Sequence, residues 1–209
     1  ETPLNNKPIS LASKAARQKK AAPKAKKEDP AESASGADKH VLTIGSDGIR
    51  RVRVGEYPAG EPIVWRILDD SDGETYLMIS EYALDAMPFC GGFGNTTNEW
   101  AGSTLRSWLN DEFLNGAFTN MEKNKIITVA HTNQKKTQNG FEQVEPTSEK
   151  VSLLDSSELQ KYFPNERDRL CKATSYAKSH GAEISGGPVL CNWWLRSPAV
   201  EAMGLPMYS

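Results

Sequence analysis

The chain has 209 residues, of which 38% are hydrophobic and 25% charged, and its net charge is −2 at pH 7. This length is enough for one domain with a core of its own, and no apolar run approaches the roughly 18–20 residues that would span a membrane. The small net charge hides an asymmetry, because residues 1–40 hold nine basic and five acidic side chains and the rest of the chain holds 16 and 22. The pattern indicates a basic arm on an acidic body, which argues against a broad nucleic-acid surface on the body itself.

The arm, residues 1–40, is rich in Ala, Lys, Pro and Ser and contains no aromatic residue. Such a composition buries too little apolar area to offset the entropy of ordering, so it predicts a disordered tail or linker. The alternative is an arm that docks on nucleic acid, anionic lipid or an acidic partner, or that anchors the chain in a larger assembly. The candidate contacts are the basic residues Lys14, Arg17, Lys19, Lys20, Lys24, Lys26 and Lys27.

The body, residues 41–209, is predicted to be a single α+β domain. Residues 63–68 are β-branched and aromatic, which is typical of a buried strand, and the Asp-rich turn at 69–73 returns the chain into a second strand at 75–79. Residues 81–86 are predicted to form a single helical turn. Strands and helices do not alternate regularly, which excludes a doubly wound parallel sheet.

The middle of the body contains several sequence patterns that are typical of helix N-termini. A cap at Ser103 or Thr104 precedes a helix whose apolar face is formed by Leu105, Trp108, Leu109 and Phe113. Capping-box pairs predict two more helices, after Thr119 with Glu122 and after Asp155 with Glu158. The remaining predictions are a strand at 126–131, a polar surface excursion at 132–149, strands at 151–154 and 192–196, and a short helix at 174–180.

The residues that could carry metal or thiol chemistry are sparse. The three cysteines, Cys90, Cys171 and Cys191, form no C-x-x-C pair, and no two histidines have metal-ligand spacing, so we expect no metal and no other cofactor. The sequence leaves open whether Cys171 and Cys191 form a disulfide. Thiol catalysis would need a base, and His180, the nearest histidine, ends a predicted helix, where the protonated imidazolium is favoured.

Three motifs in sequence order carry a family resemblance: W-R-I-L-D at 65–69, S-T-L-R-S-W-L-N at 103–110 and W-W-L-R-S-P at 193–198. Together they resemble an uncharacterised bacterial domain family found in Firmicutes, which is itself distantly similar to the C-type-lectin and formylglycine-generating-enzyme fold. The resemblance implies a C-type-lectin-like α+β domain, with short helices and a small antiparallel sheet, at the cell surface or outside the cell. Members continue through further strands after the W-W-L-R-S-P motif, so the body is expected to lack the family's terminal strands.

The resemblance and the aromatic motif together predict a non-catalytic recognition or assembly module that binds a glycan or a protein. Neighbouring residues of a strand face opposite sides, so one of two adjacent Trp rings can lie outside the core, where an indole beside an Arg would stack on a ligand. The alternative is that both rings are core. The predicted ligand contacts are Trp193, Trp194 and Arg196, with Phe93 and Asn95 from a glycine-containing loop.

Two alternative functions remain at the sequence level. One is a structural subunit that its basic arm anchors in a larger assembly. The other is an enzyme of the formylglycine-generating type. We assign no catalytic residue for the second alternative, because no cysteine pair in this chain matches that enzyme's motif.

Overall fold

The computed structural model describes residues 2–3, 9–12, 41–91, 99–184 and 190–198, and for 2–3 and 9–12 it describes the strand pairing alone. This part of the chain is a mixed α+β structure with short helices and largely antiparallel sheets, which confirms the predicted fold class. None of the helices in these ranges is long and apolar enough to cross a membrane.

The strands and helices are short and follow one another closely. The strands are β1 Thr2–Pro3, β2 Ile9–Ala12, β3 Val41–Ile44, β4 Arg50–Glu56, β5 Pro62–Asp69, β6 Tyr76–Ser80, β7 Tyr82–Ala83, β8 Val129–Thr137, β9 Gly140–Glu149, β10 Val151–Ser152, β11 Cys171–Ala173 and β12 Leu190–Cys191. The α-helices are α1 Thr104–Trp108, α2 Leu114–Ala117, α3 Asn120–Lys125, α4 Ser156–Tyr162 and α5 Ser175–Ser179. A π-helical segment, Leu109–Phe113, joins α1 to α2, and a 3-10 turn covers Glu166–Arg169.

The largest sheet has the strand order β1-β3-β4-β5-β6-β2-β10. Strands β3 to β6 form an antiparallel meander. Alternate residues of β5, namely Ile63, Trp65 and Ile67, are buried on the core face of the sheet, because successive side chains of a strand point to opposite faces. The predicted hairpin between β5 and β6 is therefore confirmed.

Strand β2 lies in a part of the chain that the sequence predicts to be tail. It pairs in parallel with β6 on one side, where Leu11 is opposite Met78, and with β10 on the other, where Leu11 is opposite Val151. The backbone N–H and C=O groups of β2 are hydrogen-bonding partners for both β6 and β10, which explains how four residues of a polar arm enter a sheet. The basic arm residues named above lie outside the described residues.

Residues 81–86 and 132–149 have a secondary structure that the sequence did not predict. The predicted helical turn at 81–86 is wrong, because β7 pairs in parallel with β11 and this pairing outweighs the local helix preference. The predicted polar surface excursion at 132–149 is largely exposed, but it is a regular antiparallel hairpin of β8 and β9 in which Thr137 is opposite Gly140. The hairpin's strands are polar on both faces, so they lack the apolar alternation by which a strand is recognised.

The helices begin where the sequence predicts. The Ser103 side chain accepts a hydrogen bond from the backbone of Arg106 and caps α1, and reciprocal capping boxes begin α3 at Thr119 and α4 at Asp155. The segment predicted as an aromatic strand at 192–196 differs, because the strand β12 ends before the two tryptophans.

The main core lies between the large sheet and the α1–α2 helical segment. Its largest buried members are Ile63, Trp65, Met78, Trp100, Leu105, Leu109 and Phe113. A second cluster of small side chains fills the space beneath the β12-β11-β7 sheet, and a third is formed by Ile79, Leu154 and Phe163. The three clusters meet near the tryptophan pair, which places the C-terminal motif at the centre of the packing.

Candidate functional site

The two predicted ligand-binding tryptophans are half-buried and point to different parts of the core. Trp194 packs against the main core and its indole Nε1 donates to the carbonyl of Met87 at 3.0 Å. Trp193 packs against the second and third clusters and its Nε1 donates to the carbonyl of Arg169, also at 3.0 Å. This arrangement agrees with the alternative in which both rings are core, one on each side of the segment. Their role in ligand binding stays a prediction.

Arg196 lies in the interior and is only 6% exposed. Its guanidinium makes ion pairs of 2.6 Å with Asp155 and with Glu158, and donates to the carbonyl of Leu153 at 3.0 Å. The two carboxylates are the N-cap and the third residue of α4, so Arg196 ties the C-terminal segment to that helix. A guanidinium held in this way explains the position of Arg196 without a ligand.

Burial of Asp155 acts to raise the pKa of its carboxyl group. The hydrogen bonds from Ser157 and Glu158, together with the charge of Arg196, outweigh that effect, and the pKa falls below its ordinary value. The carboxylate is therefore ionised in the folded protein at neutral pH. The other two predicted ligand contacts, Phe93 and Asn95, lie outside the described residues.

A different group of side chains meets at the surface beside α5. The Asp85 carboxylate, whose side chain is 5% exposed, lies 2.7 Å from Nδ1 of His180 through one oxygen. Its other oxygen accepts a hydrogen bond from the hydroxyl of Tyr57. The imidazole of His180 is one-third exposed, so a buried carboxylate orients a ring that reaches the surface.

Aromatic rings surround this pair. The rings of Tyr176 and His180 are in contact at a tilt of 55°, with 3.9 Å between their centroids, and Tyr57 meets Tyr176 edge-on at 5.5 Å and Trp108 edge-on at 6.1 Å. All four residues are half-buried, and the His180 side chain is one-third exposed. We refer to Tyr57, Trp108, Tyr176 and His180, together with Asp85 beneath them, as the aromatic patch.

Short-range structure positions the members of the patch. Thr174 caps α5, its backbone N–H donates to the carbonyl of Ala83, and its hydroxyl donates to the carbonyl of Leu84. Helix α5 is therefore docked on the segment that leads from β7 into Asp85. This docking brings Tyr176 and His180, which are one helical turn apart, over the carboxylate.

The electrostatics of the patch keep its hydroxyl groups protonated. Burial raises the pKa of Tyr57, and the nearby charge of Asp85 raises it further. Burial and the same charge also raise the pKa of Tyr176. Both hydroxyls therefore stay protonated through the physiological range; that of Tyr57 donates to Asp85. The neighbouring rings offer aromatic faces on which an apolar ligand surface can stack.

Sequence reasoning missed the patch because its members are far apart along the chain. Asp85 is 28 residues from Tyr57 and 95 residues from His180. Asp85 also falls in the segment that was predicted to be a helical turn. The one local signal in the sequence is His180 at the end of a predicted helix, and alone it indicates at most a base for a cysteine.

Comparison with known proteins identifies a family and no named relative. The model of the family described as domain of unknown function DUF6273 matches residues 73–204. No curated protein and no solved structure matches the chain. The predicted resemblance to an uncharacterised domain family is therefore confirmed, and the predicted relationship to the C-type-lectin and formylglycine-generating-enzyme fold stays a prediction.

Proposed function

The chain belongs to DUF6273, a family of domains of unknown function, and from the geometry of the site we propose that it is a non-catalytic recognition module that binds a glycan at the aromatic patch. The observation that carries the proposal is a buried carboxylate that orients a partly exposed imidazole within a group of half-buried aromatic rings.

A sugar fits the chemistry of this patch. The apolar C–H face of a hexose can stack on an aromatic ring, and its hydroxyls need donors and acceptors at the ring's edge. Tyr176 supplies a ring and a hydroxyl, while His180 supplies an imidazole whose orientation Asp85 fixes. A preorganised arrangement of this kind reduces the entropy lost on binding.

Catalysis of glycosidic-bond cleavage does not fit the same geometry. A glycosidase uses two carboxyl groups that flank the bond, as acid and as nucleophile or base. Asp85 is enclosed beneath the rings and is engaged by His180 and Tyr57, so it cannot reach a bound sugar in either role. The formylglycine-type alternative is also disfavoured, because Cys171 and Cys191 are 1% and 6% exposed and belong to the packed second cluster.

The proposed function also implies where the protein acts and what the basic arm does. A glycan-binding module of bacterial origin fits a position at the cell surface or outside the cell, as the family resemblance implies. The basic arm would then connect the module to a larger assembly or to an anionic partner, nucleic acid included.

Glycan-array binding of the full chain and of Tyr176→Ala tests the proposal. Removal of the Tyr176 ring should weaken glycan binding by about two- to tenfold, because an aromatic ring contact contributes roughly 0.5–1.5 kcal/mol. Tyr82→Ala is the matched control, since it removes a tyrosine that is 40% exposed on β7 and is not part of the patch.

The proposal fails if the array shows no glycan bound by the wild-type chain, or if Tyr82→Ala and Tyr176→Ala reduce binding equally. Circular dichroism and thermal melting of each variant accompany the array. They separate a loss of ligand contacts from a loss of folded protein.

A further inference from the structure

We propose that Cys171 and Cys191 form a disulfide bond under oxidising conditions, and that this bond fastens the segment that carries α5 to the rest of the domain. In the present structure both residues are thiols. The proposal rests on the pairing of β11 with β12 and on the packing of the second cluster.

The two cysteines are directly opposite in an antiparallel pair. Opposed residues of such a pair have Cα atoms about 4.5–5.5 Å apart, which lies inside the range of about 4.4–6.8 Å that disulfides span. Opposed side chains also point to the same face of a sheet. The burial pattern agrees, because Cys171 and Cys191 are buried whereas Lys172, the next residue of β11 and the partner of Leu190, is exposed.

Both thiols lie against the main chain of β11, and the sulfur of Cys171 is 3.6 Å from the carbonyl oxygen of Lys172 on its own strand. The sulfur of Cys191 lies 3.6 Å from the carbonyl oxygen of Cys171. The other buried members of the second cluster are small, namely Ala83, Ala86, Ala173, Ala177 and Ala182, and Trp193 packs against the cluster. We expect a sulfur–sulfur bond here to need rotation of both side chains away from their carbonyl contacts, among side chains that are mostly small.

The bond would close a segment of functional interest. The two cysteines are 20 residues apart, and the chain between them includes α5 with Tyr176 and His180 of the aromatic patch. Strand β12 is the outer strand of the three-stranded sheet; it pairs with β11 over two residues, and Cys191 makes one further bridge to Ile184. Few backbone hydrogen bonds therefore hold this end of the segment. A covalent link at the same point would restrain α5 from both ends.

The reaction needs an oxidant of the low-molecular-weight disulfide class. The thiolate of Cys191, the more exposed of the two, attacks the oxidant's disulfide and releases one thiol, which leaves a mixed disulfide on Cys191. The thiolate of Cys171 then attacks the Cys191 sulfur and releases the second thiol. Two protons leave the protein, and the two electrons reduce the oxidant to two thiols.

Cys90 is the internal control for this chemistry. It is half-buried near α1, outside the second cluster, and burial raises the pKa of its thiol. Because the chain contains three cysteines, a bond between Cys171 and Cys191 would leave one alkylatable thiol and a fully reduced chain would leave three.

The test refolds the full chain in a glutathione redox buffer, then denatures it and counts N-ethylmaleimide adducts by mass spectrometry. Refolding removes the barrier that burial places on the oxidant. We expect one adduct on the wild-type chain, none on Cys90→Ser and two on Cys171→Ser, with the bridge mapped to the peptides of residues 171 and 191. Three adducts on the refolded wild-type chain, or a bridge that includes Cys90, would overturn the proposal.

Thermal melting and hydrogen exchange test the fastening. The oxidised chain should melt about 5–10 °C above the reduced chain, as expected for a loop of this size, and amides of α5 should exchange more slowly. Equal melting temperatures and equal exchange in the two redox states would refute it. The effect on glycan binding rests on the proposed function, whereas the thiol count and the melting temperature do not, so the two proposals can fail separately.

Discussion

The ion-pair group at Arg196 supports the sharpest stability prediction. Replacing this residue by alanine removes the two contacts of 2.6 Å to Asp155 and Glu158 and the hydrogen bond to the carbonyl of Leu153. Breaking a buried ion pair costs about 3–5 kcal/mol, but the two carboxylates keep about one quarter of their surface in water and can be rehydrated. We therefore expect Arg196→Ala to lower the free energy of unfolding by about 3 kcal/mol, the low end of that range.

Urea unfolding, followed by tryptophan fluorescence, measures this loss, since Trp193 and Trp194 directly precede the mutated segment. The pH dependence gives a second check. The pKa of Asp155 is lower in the folded protein than in the unfolded chain, so its contribution is complete above about pH 4 and is lost as the pH falls through the folded value. The difference in stability between wild type and Arg196→Ala should therefore narrow in acid.

Lys161→Ala is the matched control, because the ammonium group of Lys161 pairs with Asp69 at 3.0 Å while 63% exposed. Exposed pairs of this kind contribute little, so this variant should unfold close to the wild type. Equal stability of Arg196→Ala and Lys161→Ala, or a difference that persists unchanged at acid pH, would refute the reasoning.

Two further substitutions, Gly55→Ala and Trp100→Phe, test the packing of the main core, and Gly48→Ala is the control for the first. Gly55→Ala should destabilise the protein by more than about 2 kcal/mol in urea unfolding, because φ is +70° and an added Cβ would lie 2.6 Å from the carbonyl oxygen of Ala117. Gly48→Ala has a similar φ of +73° with open space around it, so it isolates the backbone strain and should cost only about 1 kcal/mol. Trp100→Phe should lower the free energy of unfolding by about 1–3 kcal/mol in the same assay. The indole Nε1 of Trp100 donates to a carboxylate oxygen of Glu149 at 2.6 Å, and the substitution leaves that buried oxygen without this donor. An unchanged urea midpoint would contradict this role.

The sequence predicted the elements whose causes are local. The cap at Ser103 and the capping boxes at Thr119 and Asp155 act within four residues, and all three helices begin where predicted. The buried strand β5 was recognisable from its β-branched and aromatic residues. By contrast, β7 exists because of β11, some ninety residues away, and no local pattern encodes that pairing.

The aromatic patch escaped prediction for the same physical reason. Asp85, Tyr57 and His180 come from three separate segments, and only the docking of α5 on β7 brings them together. Single-sequence reasoning instead emphasised Trp193 and Trp194, whose proximity along the chain is visible without a structure. The tryptophan pair and the aromatic patch are different parts of the molecule.

The W-W-L-R-S-P motif is accounted for by contacts inside the protein. Trp193 and Trp194 face different core clusters and each indole donates to a main-chain carbonyl, while Arg196 and Ser197 hold the first turn of α4. A segment that joins three clusters in this way has a structural reason for each of these side chains. Loss of ligand binding after a change in this motif would therefore be confounded with loss of folding. Tyr176 is better placed to report on recognition, because it is half-buried on a helix whose cap and docking contacts do not include its side chain.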